Sequence, residues 1–88
     1  MENLITAASD VLTGIETAFE KAKNICDDLD QNYFSIDTDD KDGKYLLVYY
    51  YNSACVKSDI VIDYLFQMKE LINEMRTLVN KQCEQEVE

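Results

Sequence analysis

Eighty-eight residues carry eighteen acids, eight bases and no histidine, a formal charge of −10. That length makes one domain with a thin core, and that charge disfavours nucleic acid and anionic membranes as direct partners while favouring a basic protein surface. Three cysteines without a C-x-x-C pair and without histidine exclude a zinc site.

The opening, MENLITAASD, has an acid where a signal peptide carries lysines, and no apolar run approaches the ~20 residues that span a bilayer. A soluble protein of the reducing cytoplasm is expected. From Leu4 the apolar residues Ala8, Val11, Ile15, Ala18, Ala22, Ile25 and Leu29 follow at alternating steps of four and three. This is the seam of an amphipathic helix, expected over about residues 3–31. A second row, Ile5, Leu12, Phe19 and Cys26, repeats every seven residues beside the first and reads Cys26 as core. Together the rows make a face wider than one partner helix needs. Gly14 inside the helix implies either close approach of another backbone or a bend. Asp27, Asp28 and Asp30 crowd the last turn, where acids oppose the helix dipole.

Tyr33–Ile36 and the aromatic run Lys44–Tyr51 read as strands of an antiparallel hairpin over about residues 33–51, with the Asp-Gly of "DTDDKDG" as turn signal. On the longer strand, Leu46, Val48 and Tyr50 share one face, and Tyr45, Leu47, Tyr49 and Tyr51 the other. After the connection "NSACVK", Ser58 is a suitable N-cap and Asp59 suits a first turn. A second helix is expected over about 59–83, with Val61, Leu65, Met68, Ile72, Met75 and Val79 as its seam. Tyr64, Leu71 and Leu78 form its flanking row, and the acidic tail 84–88 frays. The fold class expected is α+β, in the order α-β-β-α: two long amphipathic helices with a two-stranded hairpin between them. A lone hairpin is marginal in water, so the apolar excess predicts a homodimer.

Chemistry is sparse. Seven acids lie between Asp27 and Asp42, with Lys41 the only base among them. Aligned on Gly43 as the sixth position of an EF-hand loop, they place Tyr49 where a bidentate glutamate is required, against calcium. A solvated loop or an acidic contact surface remains. The tyrosines serve core or dimer packing, or anchor a partner, since tyrosine is enriched in hot spots. Base stacking by them would need a basic groove, and only Lys44 and Lys57 flank the run. Negative charge near Cys55 lowers thiol reactivity, and no carboxylate pair is marked as catalytic, so no enzyme and no cofactor is expected. The contact residues expected are Asp37, Asp39, Asp40 and Asp42, with Tyr49 and Tyr51 as neighbouring anchors.

In composition and general shape the chain resembles the small acidic inhibitors encoded by phages and mobile elements, of which anti-CRISPR proteins are the best-known group. That resemblance implies a DNA-mimicking inhibitor that works in the host cell cytoplasm. It would occupy the basic, nucleic-acid-binding surface of a CRISPR effector and block target DNA or a conformational step. The alternatives are a helical homodimerisation or adaptor module, and a small chaperone or antitoxin holding a basic partner.

Overall fold

The computed structural model describes the main chain of residues 2–87 and the side chains of residues 3–84. Three helices follow in order: α1, Glu2–Asn32; α2, Lys41–Tyr49; and α3, Tyr51–Val87. The described residues contain no strand. The hairpin expected over 33–51 is therefore corrected, and with it the α+β class: the protein is all-helical.

Local chemistry explains the correction. Asp40 adopts extended backbone and accepts a hydrogen bond from the Asp42 N–H, capping α2 just where Asp42 suits the helix dipole. The main chain then passes from α2 to α3 with little interruption. Tyr50 N–H donates to the Leu46 carbonyl at 2.9 Å and Ala54 N–H to the Tyr50 carbonyl at 3.0 Å, both four-residue helical bonds. Residues 41–87 at 1.5 Å each would span roughly 70 Å, and the molecule is 69 Å long by 16 and 14 Å across. So α2 and α3 are close to coaxial and form one rod. Ser58 and Asp59, expected at a helix start, lie inside it.

α1 packs antiparallel on α3 and makes the core. Its seam is the one expected: Val11, Ala18, Ala22 and Leu29 are buried, and Leu4, Ala8, Ile15 and Ile25 are half-buried. Small residues at 18 and 22 let the helices approach closely. Gly14 lies in the uninterrupted helix, and a Cβ there would meet the Leu71 Cδ1 at 3.1 Å. It accommodates a side chain, neither a backbone nor a bend.

The facing seam of α3 differs from the expected one. Ala54, Lys57, Val61, Tyr64, Met68, Leu71, Met75, Leu78 and Gln82 are its buried or half-buried positions, at steps of three and four. Tyr64, Leu71 and Leu78, expected to flank, are in the seam; Leu65, Ile72 and Val79, expected in it, are exposed. The same rhythm runs back through Tyr50 and Leu47 to Gly43. It is hidden in the sequence because Gly43 and Lys57 do not read as apolar.

Residues 33–40 turn the chain back along α2. Tyr33 and Phe34 N–H both donate to the Leu29 carbonyl, at 3.0 and 2.8 Å, ending α1. Tyr33 Oη then donates to the Leu47 carbonyl at 3.0 Å, tying the turn to α2. Gly43 is buried where the turn crosses, and a Cβ there would lie 1.9 Å from the Asp37 carbonyl oxygen. Only glycine fits that approach.

Candidate protein-interaction surfaces

Two surfaces stand out, one at the turn end of the rod and one along its side.

At the turn end, Asp37, Asp39, Asp40 and Asp42 are all exposed. Two have local duties: Asp37 Oδ1 accepts from the Asp39 N–H at 2.9 Å, and Asp40 caps α2. Both serve the turn that starts α2, as aspartates commonly do. Tyr49 is exposed, stacked on Tyr45 at 6.1 Å between ring centroids and edge-on to Tyr50 at 4.9 Å. Asp42 and Tyr49 lie seven residues apart on one side of α2, about 10 Å along the axis. Tyr51 is also exposed but starts α3. A strand would put it on Tyr49's face; two residues of helix turn it about 200° away. The helix thus sets Tyr49 on Asp42's side of α2 and turns Tyr51 away from it. The Cys55 side chain, one turn on, pushes the Tyr51 phenol above its ordinary range, with desolvation and Tyr33 adding to it.

Just below the turn, a cleft of about 260 Å³ opens between α1 and α3, lined among others by Asp28, Asn32, Tyr33, Tyr50 and Lys57. Lys57 donates to the Asp28 carboxylate, and Asn32 donates to the same group at 2.7 Å. These bonds, Lys57's first, hold the Asp28 carboxyl below its usual range. Two of the three acids crowding the end of α1 are thereby offset, because Asp27 pairs with Lys23 at 3.0 Å. The sequence signal for this pair was the lysine within an otherwise uncharged seam.

Along the side runs the second surface. Three contacts set the register of the hairpin: Asp28 with Lys57, Lys21 over the Tyr64 ring at 5.7 Å, and Gly14 against Leu71. Each step of seven down α1 is matched by seven up α3. Carried through, this register sets Ile5 level with Val79, Leu12 with Ile72 and Phe19 with Leu65. Ile5 and Val79 do line one open groove, with Leu4, Ala8, Met75 and Leu78. The flanking row of α1 and the row mistaken for the α3 seam therefore lie on the same side. They form one stripe, and every one of these six side chains is exposed, from 44% at Ile72 to 69% at Ile5. Cys26, expected as core, is exposed at the end of this row, and Cys55 and Cys83 are exposed free thiols as well.

The opposite side is different in kind. There the corresponding positions are Ala7, Gly14, Lys21 and Asp28 on α1 and Ile60, Gln67, Glu74 and Lys81 on α3, of which five are polar or charged. No helix among the described residues is long and apolar enough to cross a membrane, and none of their His, Cys, Asp and Glu side chains are grouped to hold a metal ion. No family model, curated protein or solved structure was found to match the chain.

Proposed function

We propose that this chain is a protein-interaction module, not an enzyme, that works as a homodimer of helical hairpins. One observation carries the reading. Each long helix spends one apolar face on the other and keeps a second, and the two remaining faces coincide on one side. A helix turns two adjacent apolar rows outward and inward at a cost in solvation unless both are covered. Sedimentation equilibrium at micromolar concentration tests it, and a species of twice the 10.2 kDa chain mass is expected. A monomer at all concentrations would refute it.

A second reading concerns what such a module engages, and the turn end supports it. Four aspartates stand at the extremity of the rod, with Tyr49 about two helical turns inward on Asp42's side of α2. In this reading the chain is an acidic inhibitor whose carboxylates occupy the basic, nucleic-acid-binding surface of another protein, such as a CRISPR effector. Complementary charge there would speed association and fix orientation. A cytoplasmic location accompanies the same proposal.

A further inference from the structure

We infer that the apolar stripe is the seat of a second copy of this chain, and that the two copies lie with α1 of each against α3 of the other and both acidic turns at the same end. The inference rests on the homodimeric reading and adds which face joins the copies and in which direction.

The size of the stripe suits a second copy. A footprint about 46 Å long, the length of α1, and 16 Å wide offers roughly 700 Å² per copy, beside the ~800 Å² per partner of a standard interface. Two hairpins stacked on it make a four-helix bundle, in which the exposed rows of Leu12, Phe19, Leu65 and Ile72 become a second core layer.

Charge along the two rims decides the direction. The rim on the α1 side carries Ser9, Glu16, Lys23 and Asp30, and Lys23 is already paired with Asp27. The rim on the α3 side carries Ile62, Lys69 and Arg76, and neither base has an acidic partner among the described residues. One rim is therefore acidic and the other basic. A two-fold interface makes residue i meet j and j meet i. If the axis runs along the rod, each acidic rim meets the other copy's basic rim. Heights are kept, so Glu16 stands level with Lys69 of the second copy, and Arg76 with its Ser9 and Asp10. If the axis runs across the rod, α1 meets α1 and α3 meets α3. Glu16 then nears Glu16, and Lys69 nears Lys69, which like-charge repulsion disfavours. The first arrangement does gather eight turn aspartates at one end. They are solvent-exposed, and screening within about 8 Å at physiological salt weakens their repulsion relative to the rim contacts.

Two measurements on the full chain test this. The first is a nitroxide at Thr38 in the exposed turn, with Cys26, Cys55 and Cys83 replaced by alanine and the dimer mass checked by sedimentation. Same-end packing puts the two labels within roughly 40 Å, a few helix diameters. Opposite-end packing about the level of Glu16 and Lys69 puts them roughly 80 Å apart. The second is a charge exchange. Glu16→Lys and Lys69→Glu should each weaken the dimer about threefold or more, and the double variant should recover most of the loss. A short label distance with recovery supports the inference. A dimer with the long distance, or a double variant weaker than either single, overturns the orientation and leaves the homodimer standing. A monomer overturns both.

Discussion

Lys57 of α3 donates to the carboxylate of Asp28 on α1, joining residues 29 apart in sequence across the neck of the hairpin. Lysine occupies a seam position there, laying its aliphatic stem along the core and delivering its ammonium to the rim. Asp28 is thereby held below the ordinary carboxylate range of 3.8. A lowered folded-state pKa stabilises the fold above the unfolded value, and the gain is lost as pH falls through the folded value. The difference in Tm between the native chain and Asp28→Asn should therefore be constant from pH 7 to about 5. It should shrink through pH 4 and below. A difference that grows on acidification would contradict the assigned direction.

Gly43 and Gly14 should respond oppositely to alanine. At Gly43 the new Cβ would fall 1.9 Å from a main-chain oxygen, so the turn must move. A loss of about 1–3 kcal/mol in urea unfolding is expected. At Gly14 it would meet only the tip of Leu71 at 3.1 Å. A helix-propensity gain of up to ~1 kcal/mol offsets that contact, and the net change should stay within about 1 kcal/mol. Equal losses at both sites would remove the role given to the Asp37–Gly43 approach.

Leu29→Ala and Leu65→Ala separate the inner seam from the stripe. Leu29 is 7% exposed, and its truncation should cost about 2–5 kcal/mol at any protein concentration. Leu65 is 52% exposed, so within one chain its truncation should cost less than about 1 kcal/mol. Its effect should instead be on the dimer dissociation constant. Thermal melts over a hundredfold concentration range distinguish the two, since only a coupled dimer shows concentration dependence.

Replacing Asp37, Asp39, Asp40 and Asp42 by asparagine should leave the fold intact, because asparagine caps helices about as well as aspartate. If the turn engages a basic surface, association with such a partner should slow and its salt dependence flatten. Asparagine or glutamine at Glu20, Asp63, Glu70 and Glu74, exposed positions on the helices away from the turn, serves as the control for net charge. Equal losses in both variants would reduce the effect to bulk charge. No loss in the turn variant would leave the acids with their capping duties alone.

The seam of the first helix is readable in the sequence, because it consists of apolar side chains in unbroken rhythm, whereas Cys26 beside it reads as core and is exposed, and Gly14 meets a side chain where a backbone or a bend is expected. The second half was misread at two points for one reason. Between Gly43 and Lys57 the seam runs through Gly43, Leu47, Tyr50, Ala54 and Lys57, and the glycine and lysine at its two ends interrupt the apolar rhythm, so periodicity counted on apolar residues alone starts too late. The run "KYLLVYYY" then looked like a strand on the strength of its β-prone side chains. Tertiary contact overrides such propensity: the Asp40 cap and the Tyr33–Leu47 bond hold a helix there. Starting the count at Val61 also let Leu65, Ile72 and Val79 take the place of Tyr64, Leu71 and Leu78. The two rows differ by a single residue, and both are apolar. The acids at the turn are legible in composition, but only the fold shows that Tyr49 shares Asp42's side of α2 and Tyr51 does not.

The matched sevenfold steps of α1 and α3 also set an order of events. Partners near the turn are close in sequence, while Ile5 and Val79 are the two ends of nearly the whole chain. Loop-closure entropy rises with the length closed, so contacts near Asp28 and Lys57 are the least costly to make first, and each heptad gained shortens the loop that the next must close. The hairpin should form as a zipper from the turn outward and open in reverse. The start of α1 and the end of α3 lie together at the open side, so tension between them would load one heptad at a time, peeling the structure apart at low force instead of shearing all contacts at once.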